Sequence, residues 1–248
     1  MTEAATKNAD TTSKSAFYTK PAVLSSIDHR EVKIAGVDSF DFAKDLNSSV
    51  LVGHEFMESA KTYPVVFIEQ GADTLMPVAI MGLNNNLFVD AEGKWQENAY
   101  VPAFIRRYPF IVAEGLSEED GALTVCIDTA YSGYDKEDGE RLFDDDGKQT
   151  AFMENAMKFI EEYQQQYELT KVFVKFVKDH DLLKSVNASI TMADGQKFNL
   201  PNLQIIDEEK LKDLADEDLL LLARKGFLAW VYAHLFSISN FARVINKK

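Results

Sequence analysis

The sequence predicts an α+β fold: a mostly antiparallel β-sheet from the N-terminal half, packed by helices from the C-terminal half. Three observations carry that prediction. Between residues 20 and 130, short apolar runs alternate with turn residues, the pattern of strands. From Thr150 onward the apolar side chains recur at helical spacing. Strands do not alternate with helices in βαβ order, which argues against a doubly wound parallel sheet.

Size and charge bound the answer further. The chain has 248 residues and is 46% hydrophobic and 11% aromatic, enough for a real core. Residues 1–17, rich in Ala, Thr, Ser, Asn and Lys, read as a disordered tail. They lack the apolar run of a secretory signal, so Sec-type export is not expected. Residues 18–248 contain no long linker and read as a single domain. With 26 Lys plus Arg against 40 Asp plus Glu, the net charge is −14. That balance disfavours nucleic acid and anionic membrane surfaces, both of which need Lys and Arg to neutralise phosphates. The single cysteine, Cys126, excludes an intramolecular disulfide and a CxxC zinc or redox pair.

The elements follow in chain order. Between Leu51 and Tyr63, Val52, Phe56 and Ala60 recur at helical spacing, and Pro64 ends the segment. Residues 64–68 (PVVFI) and 76–80 (MPVAI) flank Gln70-Gly-Ala-Asp73 and read as a hairpin. Residues 123–127 form another strand, with 110–113 as its neighbour. Thr150 caps a helix to about Gln166, with Phe152, Met157, Phe159, Ile160 and Tyr163 on its apolar side. A second helical stretch runs from Thr170 to Leu183. Residues 188–192 and 197–200 flank Ala193-Asp-Gly195, a hairpin signal because Gly tolerates positive φ. Asp207 caps a short helix with Leu211 and Leu214, Asp216 caps another over 219–223, and Gly226 separates that from the last helix. The last stretch, 227–245, is the most apolar of the chain. His234, Ser237, Ser239, Asn240 and Arg243 interrupt it, so it reads as a core helix or a docking helix between subunits, not as a membrane span. Two loops, around 87–94 and 142–148, share a Leu-Phe…Asp…Gly-Lys pattern and read as turns built by Asp and Gly.

Most reaction motifs are missing. The sequence has no GxSxG elbow, no GxGxxG or P-loop, and His54-Glu55 lacks the second histidine of HExxH. No metal site is expected: His29-Arg-Glu31 is a lone H-x-E, and the acidic run 135–147 fits no EF-hand frame. Catalytic residues and any cofactor are unknown from the residues alone. What stands out is Arg106-Arg107, set among Trp95, Tyr100, Phe104, Tyr108 and Phe110 in an acidic chain. Arginine grips carboxylates bidentately and stacks on rings, so the pair could hold an acidic or aromatic ligand. The plainer reading is that each arginine pairs with an internal acid such as Asp90 or Asp128 and locks loops to the sheet. Trp230 and His234, at i and i+4, share a helix face; His234 could serve a site or be a hydrogen-bonded core histidine.

Residues 64–68 (PVVFI), 86–95 (NLFVDAEGKW), 100–110 (YVPAFIRRYPF), 126–131 (CIDTAY) and 228–241 (LAWVYAHLFSISNF) resemble the SapC family, in order, from about Tyr18 to Val244. That family is named for a component of bacterial surface-layer loci and is distinct from the peptide-transporter permease of the same name. The resemblance implies a bacterial accessory or interaction protein linked to surface-layer formation or secretion, with no established reaction or cofactor. Family members also occur beside flavin-dependent halogenases and dioxygenase-like proteins. Two functions stand side by side. One is a non-catalytic, cytoplasmic protein that binds a protein partner, with homodimerisation through the C-terminal helix. The other is an enzyme or binding protein for an amino acid, peptide or other small acidic or aromatic ligand. Its site would collect Arg106, Arg107, Trp95, Asp128 and His234. Presence at the cell surface through signal-less secretion is the alternative location.

Overall fold

The computed structural model describes residues 7–8, 17–69, 74–113, 123–191 and 197–246. In chain order the elements are β1 (Lys7–Asn8), β2 (Pro21–Val23), β3 (Lys33–Ile34), β4 (Ser48–Val50), α1 (Phe56–Ser59), β5 (Val65–Glu69) and β6 (Leu75–Ile80). Then follow α2 (Ala103–Arg106), β7 (Phe110–Val112), β8 (Val125–Asp128), β9 (Glu140–Arg141) and α3 (Ala151–Asp179). The chain closes with β10 (Leu183–Thr191), β11 (Lys197–Ile206), α4 (Glu208–Lys212), α5 (Asp216–Arg224), α6 (Phe227–Ser237) and α7 (Phe241–Asn246). The α+β class holds.

The largest sheet runs β1–β11–β5–β6–β4, with β10 also paired to β11. The hairpin expected around residues 70–73 is β5–β6, antiparallel with Val65 opposite Ala79 and Val66 opposite Val78. Both faces of β5 are buried, so its sequence is a continuous apolar run, as in a covered sheet. Side chains alternate across a strand, and the core divides accordingly. Val65 and Phe67 join the main cluster beneath α3 and α6, whereas Val66 and Ile68 pack on Leu200, Leu203 and Val244. The β10–β11 hairpin brings C-terminal chain into this sheet, and β1 adds one parallel pairing. A second sheet, β2–β8–β7, pairs residues 110–112 with 125–127 as expected, and β3 pairs β9.

Two helical expectations need correction. Residues 150–183 do not form two helices: α3 is one helix of 29 residues, about 43 Å long at 1.5 Å per residue. No Gly or Pro interrupts it. Thr170, read as a new start, instead turns inward, donates to the Gln166 carbonyl (2.6 Å) and accepts the Gly53 amide (2.8 Å). Conversely, residues 51–63 hold only a 3-10 turn (Gly53–Glu55) and the short α1. At Gly53 the chain packs so closely on α6 that a Cβ would overlap the Trp230 ring.

Two of the three expected caps form. Thr150 accepts the Met153 amide (3.3 Å) and Asp207 that of Glu209 (3.2 Å). Asp216 is already helical, with Ala215 preceding it. Gly226 adopts φ of 76° and lets the chain bend by 90° between α5 and the segment 227–244. Among the described residues, no single helix is long and apolar enough to cross a membrane.

The two look-alike loops are the same structure. In each, Asp90 or Asp144 accepts the amide of the Lys four residues on (2.7 and 2.8 Å), and a glycine with positive φ closes the turn. A bridge then seals each loop, Val89 to Trp95 and Phe143 to Gln149.

Candidate functional site

The arginine pair lies at the end of α2, and a buried carboxylate explains that helix's position. Glu55 is 1% exposed and accepts three hydrogen bonds: from the amides of Val52 (2.9 Å) and Ala103 (2.7 Å) and from the Tyr100 hydroxyl (2.8 Å). It thereby holds the first amide of α2. Burial, reinforced by the Glu55 charge, pushes the Tyr100 hydroxyl well above its ordinary pKa, so it stays a donor to Glu55. Its oxygen is then free to accept Arg106 Nη2 (3.0 Å). Arg106 Nε donates to the Val101 carbonyl (3.0 Å), and the guanidinium sits 5.6 Å from the Tyr100 ring centre and 5.2 Å from that of Phe159. The side chain is exposed, yet fixed at two nitrogens and stacked on α3.

Arg107 turns the other way. Its Nε donates to the Tyr18 hydroxyl (3.1 Å), and its guanidinium lies 4.5 Å from the Phe104 ring centre and 4.9 Å from that of Tyr163. Burial raises the Tyr18 and Tyr163 hydroxyls, with Arg107 pulling each the other way. Among the described residues, neither arginine has a carboxylate within ion-pair distance. The internal pairing considered from sequence is therefore not made. Asp90 serves its own turn, and Asp128 serves the N-terminal chain.

Both arginines line one cleft of about 310 Å³. Its walls are residues 34–37, residues 106–110, and the face of α3 that carries Phe152, Asn155, Ala156, Phe159 and Ile160. Among the described residues, no Asp or Glu lines it. Apolar walls beside two cations without counter-charge suit a ligand with an apolar body and an acid group.

The other sequence candidates sit elsewhere. Asp128 is fully buried and accepts the amides of Thr19 (2.9 Å), Lys20 (2.9 Å) and Ala130 (3.0 Å), which pins residues 19–20 to β8. Its links toward Arg107 run through its neighbours: Tyr18, next to Thr19, and Tyr108, whose hydroxyl lies 3.5 Å from Asp128. Trp95 packs edge-on against Phe40 (5.3 Å) and does not line the cleft. His234 is fully buried beneath the main sheet, and its Nε2 accepts the Ile206 amide (3.0 Å). Desolvation lowers its pKa to about 4, against a smaller opposing pull from the Val65 backbone. It is a neutral core histidine tying α6 to β11. Trp230, on the same helix, packs against Phe227, Phe173 and Phe56.

The remaining chemistry is dispersed. Among the described residues, no group of three or more His, Cys, Asp or Glu could hold a metal ion. Burial raises the pKa of the Cys126 thiol, the opposite of an activated nucleophile. Glu55 is the residue of the candidate site that sequence reading missed; Tyr100 was named only as one of the aromatics around the arginines. The one signal available was a buried-pattern Glu between Val52 and Phe56, and it points to helix packing as readily as to a site.

The family model described as SapC matches residues 24–244. No curated protein and no solved structure matches the chain.

Proposed function

The chain belongs to the SapC family, and from that premise we propose an accessory binding protein of bacterial surface-layer or secretion loci. Its cleft takes a small ligand that joins a carboxylate to an apolar or aromatic body. One observation carries this: Arg106 and Arg107 open on a shared cleft whose walls, among the described residues, hold no Asp or Glu, and neither arginine has a carboxylate partner among them. The Val101 carbonyl and the Tyr100 hydroxyl, itself fixed by Glu55, hold Arg106 at two nitrogens, so little side-chain entropy is lost when an anion docks. No catalytic step belongs to the reading. The protein works in the cytoplasm, and its copies pair through α6, whose Tyr232 and Phe236 stand 55% and 68% exposed. Sedimentation at micromolar concentration tests that pairing, and a monomer removes it.

The binding reading is tested by calorimetric titration with 3-phenylpropionate and its amide. The acid binds and the amide binds about tenfold more weakly, the loss expected when a charge-assisted contact becomes neutral. Absence of binding by the acid, or equal affinity for the amide, would overturn it.

A further inference from the structure

A carboxylate gripped by Arg106 and Arg107 brings its α-carbon into the cleft, and whatever that carbon bears then lies beside two guanidinium groups. In a free amino acid it bears an ammonium, which has three donors and no acceptor. Such a group needs a carboxylate or unspent acceptors facing it. Among the described residues, the walls hold no Asp or Glu. Apart from the arginines, their polar side chains are Tyr108, whose hydroxyl donates to Asp128 (3.5 Å), and Asn155, a neutral amide on α3 one turn before Phe159. Several wall carbonyls already have donors. Those of Ala35 and Gly36 share the Tyr131 hydroxyl (3.1 and 2.8 Å), that of Arg107 accepts the Phe110 amide (2.8 Å), and that of Pro109 accepts the Asp128 amide (2.9 Å). Glu55 and Asp128 are buried, and each is held by three or more donors of the fold.

We propose that the cleft selects acids with no ammonium beside the carboxylate, namely aryl- or alkyl-substituted carboxylic and 2-hydroxy acids, and rejects free amino acids. The inference rests on the carboxylate-cleft reading above and narrows its ligand class. The two guanidiniums repel an ammonium at a separation shorter than the screening length of physiological salt. The ammonium also gives up hydration without gaining a counter-charge. A hydroxyl at the same place carries no charge and can both donate and accept. Discrimination of this kind comes from a like charge set against the wrong ligand, not from extra contacts to the right one. The net charge of −14 supplies no such preference, because at long range it repels the anion and is indifferent to the neutral zwitterion. The selection therefore resides in the cleft.

The test titrates the full chain at pH 7 with 3-phenylpropionate, L-3-phenyllactate and L-phenylalanine. The last two share one skeleton and differ in a hydroxyl against an ammonium at the α-carbon. Phenyllactate is expected to bind within about threefold of 3-phenylpropionate, and phenylalanine about tenfold or more weakly than phenyllactate. Asn155→Asp places a carboxylate in the α3 wall at an exposed helix position. It should shrink the ratio of phenyllactate to phenylalanine affinity about threefold, the size of an exposed ion pair. Equal binding of phenylalanine and phenyllactate overturns the inference and leaves the carboxylate cleft standing. Phenyllactate as weak as phenylalanine also overturns it, since bulk and not charge would then be what the cleft rejects. A ratio unmoved by Asn155→Asp overturns it as well, because the charge of the wall would not be what discriminates. If none of the three acids binds, both readings fall together.

Discussion

Asp128 and the pair Arg106-Arg107 are charged groups placed among aromatic rings, about twenty residues apart in the chain, and the protein treats them differently. Asp128 is surrounded by donors: three backbone amides at 2.9–3.0 Å and, more distantly, the Tyr108 hydroxyl at 3.5 Å. Its negative charge is absorbed by the fold. The arginines receive ring faces, one backbone carbonyl and two tyrosine hydroxyls, all formally neutral. Their positive charge is positioned, and among the described residues no carboxylate compensates it. His234 belongs with Asp128: buried, neutral and bonded to the Ile206 amide. The difference separates polar groups that hold the molecule together from those available to something else. It also explains why the candidates of the sequence reading divide between two regions.

The largest expected effect is on the Asp128 side. Asp128→Ala leaves three backbone amides without their acceptor and releases residues 19–20 from β8. Each orphaned donor costs about 1–3 kcal/mol when water cannot replace the partner. Thr19 and Lys20 are exposed enough to recover some of that, so the total is about 3–4 kcal/mol. Urea unfolding measures it. A loss below about 1 kcal/mol would mean that Asp128 is not structural and belongs with the arginines.

Next comes the acid response of His234. Its folded pKa of about 4 lies below the ordinary 6.5. The unfolded chain therefore binds the extra proton first, and stability is lost as pH falls from 6.5 through 4. The two values give about 3 kcal/mol by pH 4, at 1.36 kcal/mol per pKa unit. In His234→Gln the side-chain amide can still accept the Ile206 amide but cannot titrate. The stability gap between wild type and this variant should then shift toward the variant by that amount between pH 7 and pH 4. A constant gap would show that the imidazole is not held neutral.

How much of this was legible in the sequence depends on range. The β5–β6 hairpin, the caps at Thr150 and Asp207, the break at Gly226 and the paired Asp-Gly turns all rest on neighbours within a few residues. Each was readable from its own chemistry. The continuity of α3 was not: Thr170 looks like a cap locally, and only Gly53, 117 residues away, gives its hydroxyl an inward partner. The site shows the same split. Two adjacent arginines among aromatics are visible in one segment. That Asp90 and Asp128 are committed elsewhere, that Glu55 is buried beneath Tyr100, and that α3 supplies the opposite wall all depend on tertiary pairing. His234 drew attention as one of four histidines, yet its burial, which decides its role, is set by the sheet it packs against.

The smallest expected stability effects fall on the arginine side, and they sharpen the contrast most. Arg107→Ala removes a half-buried guanidinium from Phe104 and Tyr163 and a donor from Tyr18, a loss of about 1 kcal/mol for stacking and one hydrogen bond. Arg106→Ala should cost less, about 0.5 kcal/mol, because its side chain is exposed and its partners, Tyr100 and the Val101 carbonyl, keep other contacts or reach water. Yet the same substitution should weaken 3-phenylpropionate about tenfold or more, since the anion loses one of two cations. Arg106→Lys separates charge from geometry. A lysine keeps the charge without the planar fork, so affinity should fall between wild type and Ala if the carboxylate is gripped by paired donors. Binding fully preserved in Arg106→Lys would reduce the site to a simple positive charge. A substitution that harms binding while sparing the fold is the opposite of what Asp128→Ala should do. The two variants measured together, by unfolding and by titration, put the division itself to the test.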